Sequence, residues 1–337
     1  MIFVASGSGG PVEGLSDEPG ERGEMALRAG VIGAGVFGGH HASKYSASAA
    51  ADFLGVFDLD CDRSKALTSR HGGDVFLSII DLISSVDVLT IATPAASHVE
   101  IAEVALRRGV HCLIEKPLAL KGSDADRLVS LARDNNLVLQ VGHQERFVAD
   151  AVGLLDNQPL NAIDSVRFAR HGQASPTGRC EDVSVVFDLM IHDIDLAVAM
   201  GLGDAISIEA EGDQHTVEAT LNSANGVTVH FDCSRRADAQ HRALHASGEA
   251  SEFSLDFCER RAAASDGVAL VSGFSPEKRE RALADPLGFG VTTFLESVAN
   301  GDAELRSAAD AALAVSIAEK IEAKIGAASV RRISSAA

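Results

Sequence analysis

The sequence predicts an α/β protein of two domains. The N-terminal one, residues 27–147, is a doubly wound parallel sheet, and the C-terminal one, residues 148–330, is an α+β domain on a large open, mainly antiparallel sheet. Three observations predict it. Strand-like and helix-like stretches alternate as far as Phe147, as crossover connections between parallel strands require. Beyond Ala205 the apolar pattern changes to period two, broken by turn signals. At the end of the first strand, Gly33, Gly35 and Gly38 stand in G-x-G-x-x-G spacing. A chain of 337 residues also exceeds the usual size of one domain.

The first strand contains Ala29, Val31 and Ile32 and meets the glycines directly. Gly33 supplies a sharp turn and Gly35 leaves bare backbone for a pyrophosphate. Gly38 lets the helix pack on its strand, with Val36 and Phe37 between the last two. Amides at the start of the helix, 38–50, then face the phosphates. A second strand, Phe53–Phe57, ends in Asp58, where a carboxylate accepts hydrogen bonds from a ribose diol and repels a 2′-phosphate. NAD is therefore expected rather than NADP, although Arg63 follows closely. The N-terminal domain is thus of the Rossmann type.

Arg63–Arg70 reads as a helix stopped by Gly72-Gly73, Asp74–Phe76 as an edge strand and Ser78–Ser84 as a helix. Val86–Ala92 is a β-branched run suited to a sheet covered on both faces, and it ends in Thr93-Pro94. A helix over Ser97–Arg108 follows, then a strand, Val110–Ile114, running into Glu115-Lys116-Pro117. A helix over Ser123–Asn135, capped by Ser123, leads to the strand Leu137–Val141 and to Gly142-His143. Ligands of such sheets lie at the carboxyl ends of the strands, which here carry Asp58, Thr93, Pro94, Glu115, Lys116 and His143.

In the second domain a short helix, Ala149–Asp156, is followed by a further segment, Ala162–Arg170, and an apolar helix over Val183–Met200. Strands follow at 206–210, Thr216–Leu221, Val227–Cys233, Arg242–Ala246 and Glu252–Phe257, with Asn225-Gly226 as a clear hairpin turn. Asp285–Asn300 and Ser307–Lys324 are closing helices and 330–337 a frayed tail. Residues 1–26, mostly Gly, Ser, Pro and Glu, form a disordered extension, with Met25 as an alternative start.

A net charge of -19 opposes non-specific binding to nucleic acid or anionic lipid. No apolar segment has the roughly 20 residues that span a bilayer, and Met1–Ala5 is too short for a signal peptide. Five scattered cysteines without a C-x-x-C suit a reduced, cytoplasmic chain, and no metal site is expected. The tandem His40-His41 does not change that, because adjacent helix positions point apart.

Oxidation of a secondary alcohol needs a base beside the hydroxyl and a group that holds the developing charge on oxygen. His192 suits the first role, with Asp188 four residues earlier on the same helix face to orient its ring; Lys116 suits the second. Asp195 either extends this polar stripe or serves a buried network, and Asp193 is structural. Glu115 pairs with the lysine or approaches the nicotinamide ribose. His98 either caps its own helix or helps to position the cofactor. His143 and Arg146 fall at the domain junction, where Arg146 binds substrate or pairs across it. Arg179, Arg235, Arg236 and Arg242 are the one basic concentration of the second domain, a place for a phosphate or uronate or a sheet-edge charge.

These motifs carry a family resemblance. The succession 33-GAGVFG-38, Asp58, Thr93-Pro94 with His98, Glu115-Lys116-Pro117, Gly142-His143 with Arg146-Phe147, and 188-DLMIHD-193 resembles the Gfo/Idh/MocA oxidoreductases from about residue 27 to 325. The resemblance implies an NAD-dependent dehydrogenase acting on CH–OH groups, with Lys116, Asp188 and His192 as its catalytic set. It implies cofactor contacts from Gly33, Gly35, Val36, Phe37, Gly38, Asp58, Thr93, Pro94, His98, Glu115 and Lys116, and substrate contacts from His143, Arg146 and Arg179. The stretches 142-GHQERF-147 and 188-DLMIHDID-195 look most like members acting on nucleotide-activated amino sugars such as UDP-N-acetylglucosamine. Val148-Ala149 departs from their Asn-Pro. A free-sugar or inositol dehydrogenase is the alternative, and a non-catalytic dinucleotide-binding regulator a further one. The family also implies a homodimer or homotetramer formed through the C-terminal sheet.

Overall fold

The computed structural model describes residues 26–155, 163–174, 183–249, 251–265, 270–302 and 306–335. The N-terminal extension and Arg179 therefore lie outside the described residues. The first domain comprises β1 (Leu27–Ile32), α1 (Val36–Ala47), β2 (Ala51–Phe57), α2 (Cys61–His71), β3 (Asp74–Val75), α3 (Ile79–Ser85), β4 (Val88–Ile91), α4 (His98–Arg107), β5 (His111–Ile114), α5 (Gly122–Asp134) and β6 (Leu139–Val141). Its six strands are all parallel, in the order β3-β2-β1-β4-β5-β6. The order reverses between β1 and β4, so the crevice above their carboxyl ends is where a ligand fits.

Local chemistry sets some helix starts. Asp60 caps α2 by accepting from the Asp62 and Arg63 amides, and Ser78 caps α3 by accepting from Asp81. The predicted Ser123 cap is absent: α5 begins at Gly122, whose amide donates instead to Glu319 Oε2, 3.0 Å away on the last helix. A tertiary acceptor replaces the local one.

The second half continues with α6 (Gln144–Ala151), β7 (Ser165–His171), α7 (Ile191–Ala199), β8 (Ala205–Gly212), β9 (Thr216–Ser223), β10 (Thr228–Ser234), β11 (His241–Ser247), β12 (Glu252–Asp256), β13 (Arg261–Ala264), α8 (Pro276–Ala284), α9 (Pro286–Ala299) and α10 (Arg306–Ser335). Four corrections follow. The short helix α6 starts right after His143, five positions before the predicted Ala149, because its apolar face, Val148, Ala149 and Ala151, occupies only its second half. The predicted helix over Val183–Met200 is regular only from Ile191; Val186–Met190 form a wide π-helical turn ahead of it. Strand β13 and helix α8 had no clear apolar period. The last helix extends to Ser335, through the stretch predicted as a tail.

The second sheet runs β13-β12-β11-β7-β10-β9-β8, antiparallel except between β7 and β10. Asn225-Gly226 turns β9 into β10 with Gly226 at φ +89°, as the dipeptide predicts. One face of the sheet presents Val217, Leu221, Val229, Phe231, Phe168 and Leu244 to the core under α7 and α10. Phe168 and Phe231 stack with centroids 5.4 Å apart. Among the described residues no layer covers the other face. The two halves share a core: α10 packs on α5, β6 and α7, while Val291, Phe294 and Leu295 of α9 join Val31 of β1 and Tyr45 of α1. The catalytic candidates of both halves are thereby fixed relative to each other. No helix among the described residues is long and apolar enough to cross a membrane.

Candidate active site

The crevice begins at the glycine turn. Gly33 sits at φ +99°, and a Cβ there would lie 2.6 Å from the Ala92 carbonyl oxygen; at Gly38 it would lie 1.8 Å from that of Gly33. Nothing approaches the corresponding position of Gly35, which leaves backbone open to a ligand. Gly35 also begins α1 without a side-chain cap, so the amides of the first turn remain available to a phosphate. Val36 and Phe37 line the same cleft. Asp58 accepts from the Ala34 amide (2.6 Å) through one oxygen and from the Asp60 amide (2.8 Å) through the other. It ties the turn to the end of β2 and still presents carboxylate lone pairs to the cleft that it lines. These residues fit a dinucleotide.

Thr93, Pro94, Glu115 and Lys116 also line the cleft, whereas His98 lies beneath it, buried. Its Nδ1 is 2.8 Å from the Pro117 carbonyl oxygen and its Nε2 2.9 Å from that of Thr93. His98 thus staples the loops after β4 and β5 together instead of capping α4. Burial holds its pKa below the ordinary value against the pull of those carbonyls. Glu115 pairs not with Lys116 but with His41 on α1, 2.7 Å away. Burial alone would raise the Glu115 pKa; the His41 contact brings it below the usual range.

At the centre, the Lys116 amine donates to the backbone carbonyl of Asp188 and reaches its Oδ1 at 3.3 Å. The other Asp188 oxygen lies 3.7 Å from Arg235 Nη1. Asp188 therefore serves the lysine, not the histidine. The π turn explains the difference: it breaks the regular four-residue spacing that would put Asp188 and His192 one above the other. His192 instead has Nδ1 2.8 Å from Glu145 Oε2, off the axis of an ideal hydrogen bond. Its Nε2 has no protein partner among the described residues. Lys116, Asp188, His192 and Glu145 line one cleft, to which the first sheet brings the lysine and the helical segment ahead of the second sheet the imidazole.

Glu145 is anchored in turn by Arg170 Nη1 at 2.9 Å, and Arg170 grips Asp193 through Nε and Nη2 at 2.7–3.0 Å. Burial lowers the His192 pKa, and the Glu145 carboxylate partly restores it. Burial would raise the Glu145 pKa, yet the charges of His192 and Arg170 hold it well below the carboxylate range. Neither Glu145 nor Arg170 was among the predicted site residues. A signal for Arg170 was present, since it continues the inward phase of Val166 and Phe168 on β7.

His143 and Arg146, expected at the substrate, lie behind the cleft wall. His143 is buried edge-on against His192, ring centroids 5.7 Å apart, and burial pushes its pKa down to about 4. Arg146 is held by Asp195 at 2.5 and 2.6 Å and by Asp310 at 3.0 Å. Of the open readings, the structure has Asp195 in a buried network, Arg146 pairing across the junction and Asp193 as a structural partner. Arg235 points inward to the Val183 and Gln214 carbonyls. Arg236 is exposed, and Arg242 lines the cleft. Among the described residues, no group of His, Cys, Asp and Glu could hold a metal ion, and Cys61, Cys112, Cys233 and Cys258 are free thiols.

Comparison with known proteins agrees with this geometry. The profile described as an oxidoreductase family with an NAD-binding Rossmann fold, GFO_IDH_MocA, matches residues 27–143. The UDP-N-acetylglucosamine 3-dehydrogenase of Acidithiobacillus ferrooxidans is 33% identical over 287 residues, 81% of this chain and 89% of that protein. The Rhizobium meliloti inositol 2-dehydrogenase is 26% identical over 231 residues, 63% of this chain and 70% of that protein. A crystal structure of the Acidithiobacillus enzyme superposes with a TM-score of 0.77 at 28% identity, covering 90% of this chain and 99% of that one. With the dinucleotide cleft and the Lys116 and His192 constellation in place, these matches show that the chain belongs to the Gfo/Idh/MocA oxidoreductases, NAD(P)-dependent dehydrogenases that act on the CH–OH groups of sugars.

Proposed function

We propose that the chain oxidises a secondary hydroxyl of a nucleotide-activated amino sugar to a ketone, with UDP-N-acetylglucosamine at position 3 as the first candidate and NAD as acceptor. The observation that carries the reading is the meeting of Lys116 and His192 in one cleft above the strand ends. The choice of substrate rests on the 33% identical relative. NAD, when bound, takes up the hydride; the chain's own residues handle the oxygen and its proton. His192, kept neutral near neutral pH by burial, accepts the hydroxyl proton at Nε2 while Glu145 holds the opposite nitrogen. The Lys116 ammonium, positioned by Asp188, stabilises the charge that develops on the oxygen. Asp58 supports NAD over NADP, because a carboxylate lining the cleft at the end of β2 suits a ribose diol and repels a 2′-phosphate. A non-catalytic regulator would have no chemical use for this set.

The uncovered face of the second sheet supports a homodimer or homotetramer formed through it. The free thiols suit the cytoplasm. The test is a panel of UDP-sugars, free sugars and inositols with NAD and NADP, following reduced cofactor, beside His192→Ala and Lys116→Ala. Turnover of UDP-N-acetylglucosamine with NAD that falls at least about a hundredfold in both variants is the expected result. Wild-type rates in both would refute the roles, and turnover of inositols alone would refute the substrate.

A further inference from the structure

Strand β11 opens with His241-Arg242, paired in register with His171 and Arg170 at the end of β7. Directly opposed residues share a face of the sheet. Here that face is the inner one, since Val166, Phe168, Leu244 and Ala246 on the same phase are all buried. Where the strands end, this apolar row gives way to the cleft, and two guanidinium groups lie side by side at its wall.

Their electrostatic situations differ. Arg170 is fully buried, and its charge is matched by Asp193 and Glu145. The Arg242 side chain is partly buried and makes no hydrogen bond or ion pair among the described residues. The other partly buried cations of the cleft all have partners. Lys44 meets Asp285 at 2.6 Å, Lys116 meets Asp188, and Arg260 donates to the Leu283 and Ala284 carbonyls. In a chain of net charge -19, a cleft-lining guanidinium with no contact partner is a site for an anion. Its planar fork fits phosphate oxygens in pairs. The cofactor's own pyrophosphate belongs at the Gly33 to Gly38 turn after β1, whereas Arg242 stands on the second sheet, so the anion in question is the substrate's. Arg242 also acts on Glu145, the group that holds His192, which puts it within electrostatic reach of the reacting hydroxyl.

We propose that Arg242 docks the diphosphate of the nucleotide sugar, fixing the sugar ring with its hydroxyl at His192. This inference rests on the nucleotide-sugar reading above. It also gives a physical reason for that reading over an inositol substrate, which carries no charge for Arg242 to meet.

The test uses the full chain with NAD, as wild type, Arg242→Gln and Arg242→Lys. In Arg242→Gln the KM for UDP-N-acetylglucosamine rises about ten- to a hundredfold, a larger factor than any change in kcat, and Arg242→Lys recovers part of the loss. UDP alone, measured by titration calorimetry, binds wild type and weakens by a similar factor in Arg242→Gln, while the KM for NAD stays unchanged. UDP binding retained in Arg242→Gln overturns this assignment alone. No UDP binding to wild type overturns the nucleotide-sugar reading and this inference with it. Glucuronate binding that depends on Arg242 where UDP binding does not would reassign the site to a carboxylate and refute the diphosphate.

Discussion

Replacing Glu145 by Gln tests the central arrangement with almost no change of shape. In the wild type one carboxylate oxygen accepts from Arg170 at 2.9 Å and the other lies 2.8 Å from His192 Nδ1. That acceptor favours the tautomer with the proton on Nδ1 and leaves Nε2 free to take a proton from substrate. A glutamine has only one oxygen, and Arg170, a pure donor, claims it. The amide NH2 must then face Nδ1, which drives the ring proton to Nε2 and blocks the base. Loss of a general base is worth about a hundred- to ten-thousandfold, so kcat falls by about that factor with KM little altered. The charge of Glu145 also lifts the His192 pKa against burial. Without it burial and the charges of Lys116 and Arg170 act unopposed, and the acid limb of residual kcat/KM moves to lower pH. Steady-state kinetics between about pH 5 and 9 read both effects. A rate within about threefold of wild type, with the acid limb unmoved, would refute the assignment of Glu145 to His192.

Asp188→Asn touches the other half of the site: kcat drops through the loss of a charged partner for Lys116, and the acid limb stays where it is in the same pH series. Gly38→Ala places a methyl 1.8 Å from the Gly33 carbonyl oxygen, a backbone clash with no flexible relief, so NAD binding followed by fluorescence quenching is lost or the chain fails to fold. His143 is buried neutral with a pKa of about 4, whereas the unfolded ring titrates near its ordinary value. The unfolded state therefore takes up the proton first as pH falls. Stability is fully present above about pH 6.5 and declines by about 3 kcal/mol down to pH 4. Urea unfolding at a series of pH values shows this slope, and His143→Leu flattens it.

Sequence periodicity carried most of the first domain, because its strands other than β3 are largely apolar runs whose ends carry chemical markers. Asp58, Thr93-Pro94 and Glu115-Lys116 all reach the cleft that these markers predict. What was not legible depends on contacts far apart in the chain. The partners of His192 and Lys116 were misread because regular helical spacing was assumed across Val186–Met190, and a π turn leaves no mark in the apolar pattern of a helix that is buried nearly all round. Arg146 and His143 have residue types suited to substrate, but Asp195 and Asp310, which decide their role, come 49 and 164 positions after Arg146. The same holds for α5, whose start is set by Glu319, 197 residues from Gly122.

The wide turn ahead of α7 makes residue count itself a determinant of the chemistry. Any substitution between 186 and 190 keeps the count. Deleting one residue there would restore an even pitch and rotate everything downstream by about 100°. The imidazole would swing away from Glu145 with no change in its own identity or in any neighbour's. Spacing in this short stretch is thus a dial on which way the proton acceptor points, independent of which side chains occupy it.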